Sequence, residues 1–358
     1  MQSYIEIIKI ALVFFPFLAF FISFPFILIE YHKYGSISFF KTVLLYSFVF
    51  YLLCTYFLVI LPLPKISEVA HLSTPRMQLV PFKFVTDFMR ESSFRLFHLS
   101  TYLQAIKEKC FYVPIYNVLL TLPFGMYLHS YFNVNVKKTV LYSFLLSLFF
   151  ELTQLTGLYF IYPRGYRLFD VDDLLLNTLG GLVGYYFAFP LLKRIPNRKT
   201  VNEKSKEKGK VISSLRRTTS FCLDFFFYLV FSLFLSFVLN KEELSFLLGI
   251  GIYYLLIPIL LKGSTIGEKF LNIQVVDLNG KYDIYKLLTR KLCFLFLYLF
   301  FPILIFKVFS YLKLPGFAFF FFFFYFLFDF LSALKFIFTK KALLYERLSK
   351  TRLKSTIK

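Results

Sequence analysis

Residues 42–63 read TVLLYSFVFYLLCTYFLVILPL, a run without a single charged side chain. At 1.5 Å per residue, about 20 residues of helix cover the roughly 30 Å of a bilayer's hydrocarbon. Hydrocarbon offers no partner to a backbone N–H or C=O, so a lone segment in it must bond internally, as a helix does. Apolar runs of similar length, most with one or two charged residues, recur at Ile8 to Ile29, Tyr112 to Tyr131, Thr139 to Tyr159, Asp173 to Leu192, Thr219 to Leu239, Leu244 to Leu261, Leu292 to Phe309 and Phe317 to Phe338. The pattern predicts an all-α, polytopic membrane protein of about nine transmembrane helices.

Composition agrees. Of 358 residues, 58% are hydrophobic and 17% charged, with a mean hydropathy of +0.68, more apolar surface than a soluble core can hide. The formal charge of +21 raises nucleic acid as a partner. The Lys and Arg residues lie in short segments between apolar runs, however, which is a topology signal. Membrane lipid, and no nucleic acid, is the expected contact. Cys54, Cys110, Cys222 and Cys293 show no paired spacing and read as small apolar fillers. The first run is too long for a signal-peptide core and lacks a small-residue cleavage site, so it reads as a retained span.

Lys33 and Lys41, Lys137 and Lys138, and the segment 193–217, where ten basic residues face Glu203 and Glu207, fall in alternate loops. The tail from Lys340 is basic as well. With nine spans these all share one side, which places the N-terminus outside and the C-terminus in the cytoplasm. The mixed-charge segment 64–111 then lies outside. The basic, non-periodic stretch divides the chain into a membrane domain at 1–192, a cytoplasmic linker at 193–213 and a second membrane domain at 214–358.

Polar residues inside apolar runs are costly and therefore informative. Glu151 and Gln154 lie three apart and share a helix face. A short loop with Arg164 and Arg167 follows, and then FDVDDLLLNTLGGLVG over 169–184. Asp173, Asn177, Gly180 and Gly184 fall on one face, with Asp170 or Asp172 placed to cap the helix start. Gly180 and Gly184 form a small-xxx-small pattern for close helix packing. Two facing helices would gather Glu151, Gln154, Asp173 and Asn177 beneath the two arginines.

The Glu-x-x-Gln pair, the Arg-containing turn, the Asp-x-x-Asp at 170–173, Asn177 and the two glycines resemble the VanZ-like signature. Asn117 to Gly125 is similar to that family's earlier Asn-to-Pro-x-Gly segment, and the resemblance covers about 40–192. It implies a bacterial plasma-membrane protein of a family named for low-level resistance to the glycopeptide teicoplanin, without a transferable reaction. Two readings stay open for Glu151, Gln154, Arg164, Arg167, Asp170, Asp173 and Asn177. One is an ionic latch of Glu151, Arg167, Asp170 and Asp173 tying a loop to two helices. The other is an outward pocket for a polar head, such as a lipid-linked cell-wall precursor or a glycopeptide, with the arginines meeting phosphate or carboxylate. A divalent cation and acid–base catalysis by Glu151 and Asp173 are minor alternatives. The expectation is a non-enzymatic protein without metal or cofactor.

In the second half, Arg217 and Asp224 lie two turns apart on one face, and Asp329 is an isolated acid among aromatic and aliphatic neighbours. Leu271, Ile273 and Val275 alternate with polar residues, and Asn279-Gly280 is a two-residue turn signal, predicting a small cytoplasmic β-hairpin returning through Lys281 to Tyr285. The Arg-Arg-x-x-small-x-x-x-Asp element, the Gly-x-Thr-x-Gly-x-Lys element at 263–269 and Val-Asp-x-Asn-Gly at 276–280 are similar to the RDD family, named for an arginine and two aspartates. Arg217 and Asp224 match its first two signature positions. Glu346 stands where the second aspartate is usual, and Tyr345 where a histidine is. Ion or solute transport has been proposed for some RDD members, so the resemblance implies secondary transport as the alternative function. Anchoring of the inner boundary by Arg217, Asp224 and Glu346 is the plainer reading.

Overall fold

The computed structural model describes residues 2–192, 196, 198–339 and 342–357. The chain forms two compact units, Met1–Ile22 with Phe39–Asn197 and Ser23–Ser38 with Arg198–Lys358. Helix α1 (Gln2–Tyr34) therefore contributes to both. Within the basic stretch, Arg198–Gly209 is a helix and groups with the second unit.

The first unit continues with α2 (Phe39–Ile60), the short amphipathic α3 (Lys83–Glu91), α4 (Lys109–Ser130), α5 (Val136–Leu155) and α6 (Val171–Leu192). Asn135 starts α5 by accepting from Lys138 N at 3.0 Å. Asp170 starts α6 by accepting from Asp172 N at 2.8 Å, which decides between the two capping candidates. Asp172 is itself buried and accepts from Phe82 N at 2.6 Å and Phe84 N at 2.9 Å. Strand β1 (Met77–Gln78) pairs in parallel with β2 (Phe169–Asp170). The long segment between α2 and α4 is thus docked on the start of α6.

In the second unit, α7 (Arg198–Gly209) leads to α8 (Ser214–Leu239), α9 (Glu242–Ile250), α10 (Ile284–Leu295), α11 (Phe301–Tyr311) and α12 (Pro315–Thr339). A π-helical turn at Gly251–Leu256 extends α9 to Ile257–Leu260, and another at Phe296–Phe300 joins α10 to α11. Strand β3 (Ile273–Asp277) pairs antiparallel with β4 (Thr351–Ser355). The expected local hairpin through Lys281 to Tyr285 does not form. Asn279-Gly280 does turn the chain, with Asp277 N donating to Lys281 O at 2.8 Å, but Asp283 then accepts from Tyr285 N at 3.0 Å and Lys286 N at 3.1 Å and starts α10. With its neighbour committed to a helix, β3 takes its partner from the far end of the chain.

Among the described residues six helices are long and apolar enough to cross a membrane: Ile5–Tyr34, Phe39–Ile60, Lys109–Ser130, Ser214–Leu239, Glu242–Leu260 and Ile284–Tyr311. The remaining three apolar runs are also helical, as α5, α6 and α12. Residues such as Phe20 and Phe237, 75% and 88% exposed, face outward as lipid-solvated helices require. The chain is an all-α, polytopic membrane protein with two small sheets.

Candidate functional site

One face of α5 buries Ser143, Ser147, Glu151 and Gln154, and α6 presents Asp173 and Asn177. These helices are interlocked by hydrogen bonds. Ser147 Oγ donates to Asp173 O at 3.2 Å and accepts from Asn177 Nδ2 at 2.9 Å. Glu151 Oε2 accepts from Asp170 N at 2.9 Å. Helix α4 joins from the other side: Asn117 Nδ2 donates to Asp173 Oδ1, and Thr121 Oγ1 donates to Asn177 O at 2.7 Å. That closeness needs the glycines, because a Cβ on Gly180 would strike Val118 O and one on Gly184 would strike Leu122 O.

Between α2, α4, α5 and α6 lies a cavity of about 690 Å³, within the usual range for small-ligand pockets. Its polar end carries Asn117, Glu151, Gln154, Arg167, Asp173 and Asn177, and its walls include Tyr51, Thr55, Leu58, Tyr112, Tyr116 and Phe150. It lies toward the C-terminal ends of α2 and α5 and the N-terminal ends of α4 and α6. Most of its lining is apolar or aromatic. The arrangement suits an amphiphile better than a fully hydrated solute.

Both arginines donate to backbone carbonyls. Arg167 Nη1 donates to Val59 O at 2.6 Å and Nη2 to Leu61 O at 2.9 Å. Gln154 Nε2 also donates to Val59 O, at 3.0 Å. These bonds satisfy carbonyls at the end of α2, where a cation is also favoured by the helix dipole. Arg164 is not among the lining residues; its guanidinium donates to Leu72 O and to Thr74 O, the latter at 2.5 Å. Asp170 is not among the lining residues either. Burial pushes its carboxyl above the usual carboxylate range, while the Asp172 N–H opposes the shift. Glu151, Gln154, Arg167, Asp173 and Asn177 thus meet in one cavity, and Arg164 and Asp170 fasten the loop beside it.

A second polar cluster occupies the second unit. Asp224, on α8, accepts from Thr265 Oγ1 at 2.7 Å, Gly267 N at 2.7 Å and Tyr253 OH at 2.8 Å. Glu346 pairs with Arg217 at 2.6 Å and Arg290 at 2.8 Å, and Lys291 pairs with Glu268 at 3.1 Å. Burial opposes the charge on Glu346, yet Arg290 and Arg217 hold its carboxyl below the usual range. Glu268 is likewise lowered: its burial is outweighed by Lys291 and the Thr265 N–H. Arg217, Asp224, Glu268, Arg290, Lys291 and Tyr345 border a cavity of about 100 Å³. The side chain of Asp329 lies outside the described residues.

Sequence reasoning missed Arg216, which is wholly buried. Its Nε donates to Leu271 O at 2.8 Å, Nη1 to Gly209 O at 2.7 Å and Gly35 O at 3.2 Å, and Nη2 to Asn272 O at 2.8 Å. It also missed the tyrosine walls of the larger cavity. Ser147 carried a usable signal: it lies four residues before Glu151 and extends the same polar face.

Residues 48–193 match the VanZ/LLP1 family. The matched span contains every residue named above around the 690 Å³ cavity. No curated protein and no solved structure matches the chain.

Proposed function

We propose that this chain, VanZ-type over residues 48–193, is a non-enzymatic protein of the bacterial plasma membrane whose first unit binds an amphiphilic envelope ligand. The observation that carries the reading is the 690 Å³ cavity, largely apolar along its walls and strongly polar at one end. The alternating basic loops support an orientation with that end on the outer face, the N-terminus outside and the C-terminus in the cytoplasm. A lipid-linked cell-wall precursor or a glycopeptide is the ligand class that such a position offers, and shielding it is the route to altered teicoplanin susceptibility. In a susceptible host, wild type should raise the inhibitory teicoplanin concentration at least twofold over empty vector. Leu58→Trp, which puts a larger side chain into the cavity wall, should not. Equal susceptibility in all three strains would remove the resistance role.

A second reading is supported by the second unit. Of the positions similar to the RDD signature, Arg217 and Asp224 line the 100 Å³ cavity and Glu346 pairs with Arg217 at 2.6 Å, and we propose that this unit moves an ion or small solute. Proteoliposome flux under an imposed Na⁺ or proton gradient tests it. Flux lost in Asp224→Asn supports the reading, and flux absent from wild type or unchanged in the variant counts against it.

A further inference from the structure

The polar end of the larger cavity holds three unengaged acceptors. Asn177 is 4% exposed, yet its Oδ1 has no hydrogen-bond partner. Its orientation follows from chemistry. The single hydroxyl proton of Ser147 goes to Asp173 O, so Ser147 Oγ can only accept, and the amide must turn its N–H toward Ser147 and its oxygen away. A buried amide oxygen without a partner costs free energy, which marks a place where a donor belongs. Beside it, one oxygen of each acid is used, Glu151 Oε2 by Asp170 N and Asp173 Oδ1 by Asn117. Among the described residues, Glu151 Oε1 and Asp173 Oδ2 accept no hydrogen bond.

From this we infer that the polar end of the cavity is a recognition site for a protonated primary amine carried on an apolar body, with Glu151, Asp173 and Asn177 as its acceptors. The inference rests on the reading of this cavity as a ligand pocket. An alkylammonium has three N–H donors, and three acceptors await it. Charge points the same way: two carboxylates face one guanidinium, and that guanidinium is already bonded to Val59 O and Leu61 O. Tyr51, Tyr112 and Tyr116 add aromatic walls, which favour an adjacent cation. An anionic head would meet both carboxylates and would have to displace Arg167 from the end of α2. A metal ion is a poorer fit, since no grouping of three His, Cys, Asp or Glu side chains suited to one occurs among the described residues.

Three probes that share a body and differ in head group test this: 4-phenylbutylamine, 4-phenylbutan-1-ol and 4-phenylbutanoate, titrated calorimetrically into the full-length chain in detergent micelles. The amine should bind saturably and at least tenfold more tightly than the alcohol or the carboxylate. Glu151→Gln and Asp173→Asn keep the shape but remove the charge and put an NH2 donor where the free acceptor oxygen stood, and each should weaken the amine at least tenfold. Asn177→Asp should tighten the amine several-fold, a gain that misfolding cannot mimic. If the alcohol or carboxylate binds as well as the amine, or the charge-removing variants leave amine affinity unchanged, amine recognition is overturned while the pocket stands. If none of the three probes binds, the pocket reading falls with it.

Discussion

Arg216 shows how much one residue decides. Its guanidinium serves backbone carbonyls from α7, from the loop after α1 and from the turn before β3. Lysine has a single ammonium and cannot satisfy that planar fan of acceptors. Arg216→Lys should lower stability by about 3 kcal/mol or more, through carbonyls left buried and unpaired. Thermal unfolding in detergent checks this, with Arg217→Lys as comparison: Arg217 is partly exposed and touches Glu346 and Tyr345, so its replacement should cost less. The inward turn of Arg216 was not legible in the sequence, where it is half of an Arg-Arg pair beside a basic stretch. Its acceptors come from segments far away in sequence. Glu151, Gln154, Asp173 and Asn177 were legible, because a polar side chain in an apolar run must find a polar neighbour. Tyr51 and Tyr116 were not, since a chain with 26 tyrosines gives no reason to single them out.

At the scale of elements, helix contact in the first unit depends on missing side chains. Gly184→Ala would push a methyl into Leu122 O, and overpacking of this kind costs about 3 kcal/mol. Gly251→Ala is the control, because nothing lies within 4 Å of its added Cβ. The first should lower the melting temperature and the second should leave it unchanged or raise it. The helices themselves were evident from apolar runs, and so was their polar face. The partner of β3 was not: Asn279-Gly280 turns as its sequence suggests, but Asp283 caps a helix, and pairing passes to residues more than seventy positions away.

That non-local pairing makes the C-terminal strap, Leu344–Leu348 with β4, depend on Glu346. Its folded carboxyl titrates below the unfolded value, which is about 4.3 for glutamate. The stabilisation is therefore fully present above the unfolded value and is lost as pH falls through the folded one. Hydrogen exchange of the β4 amides, corrected for intrinsic rates, should stay slow from pH 7 to 5 and accelerate below 4. Glu346→Gln should exchange faster at pH 7 and lose the acid step.

For the whole molecule, two compact units share one chain, and the family match falls within the first of them. The membrane class was legible throughout, because lipid imposes length and apolarity on every span. The division between units was legible less well: residues 23–38 and 198–209 join the second unit through contacts that a linear reading cannot see. The central claim is that the first unit holds an amphiphile in the cavity between α2, α4, α5 and α6. Purification of wild type and Leu58→Trp from the same bacterial membranes, followed by mass spectrometry of extracted lipids, tests it most directly. An amphiphile bearing a primary amine should be retained by wild type and depleted at least tenfold in the variant. Identical extracts from the two proteins would contradict the claim.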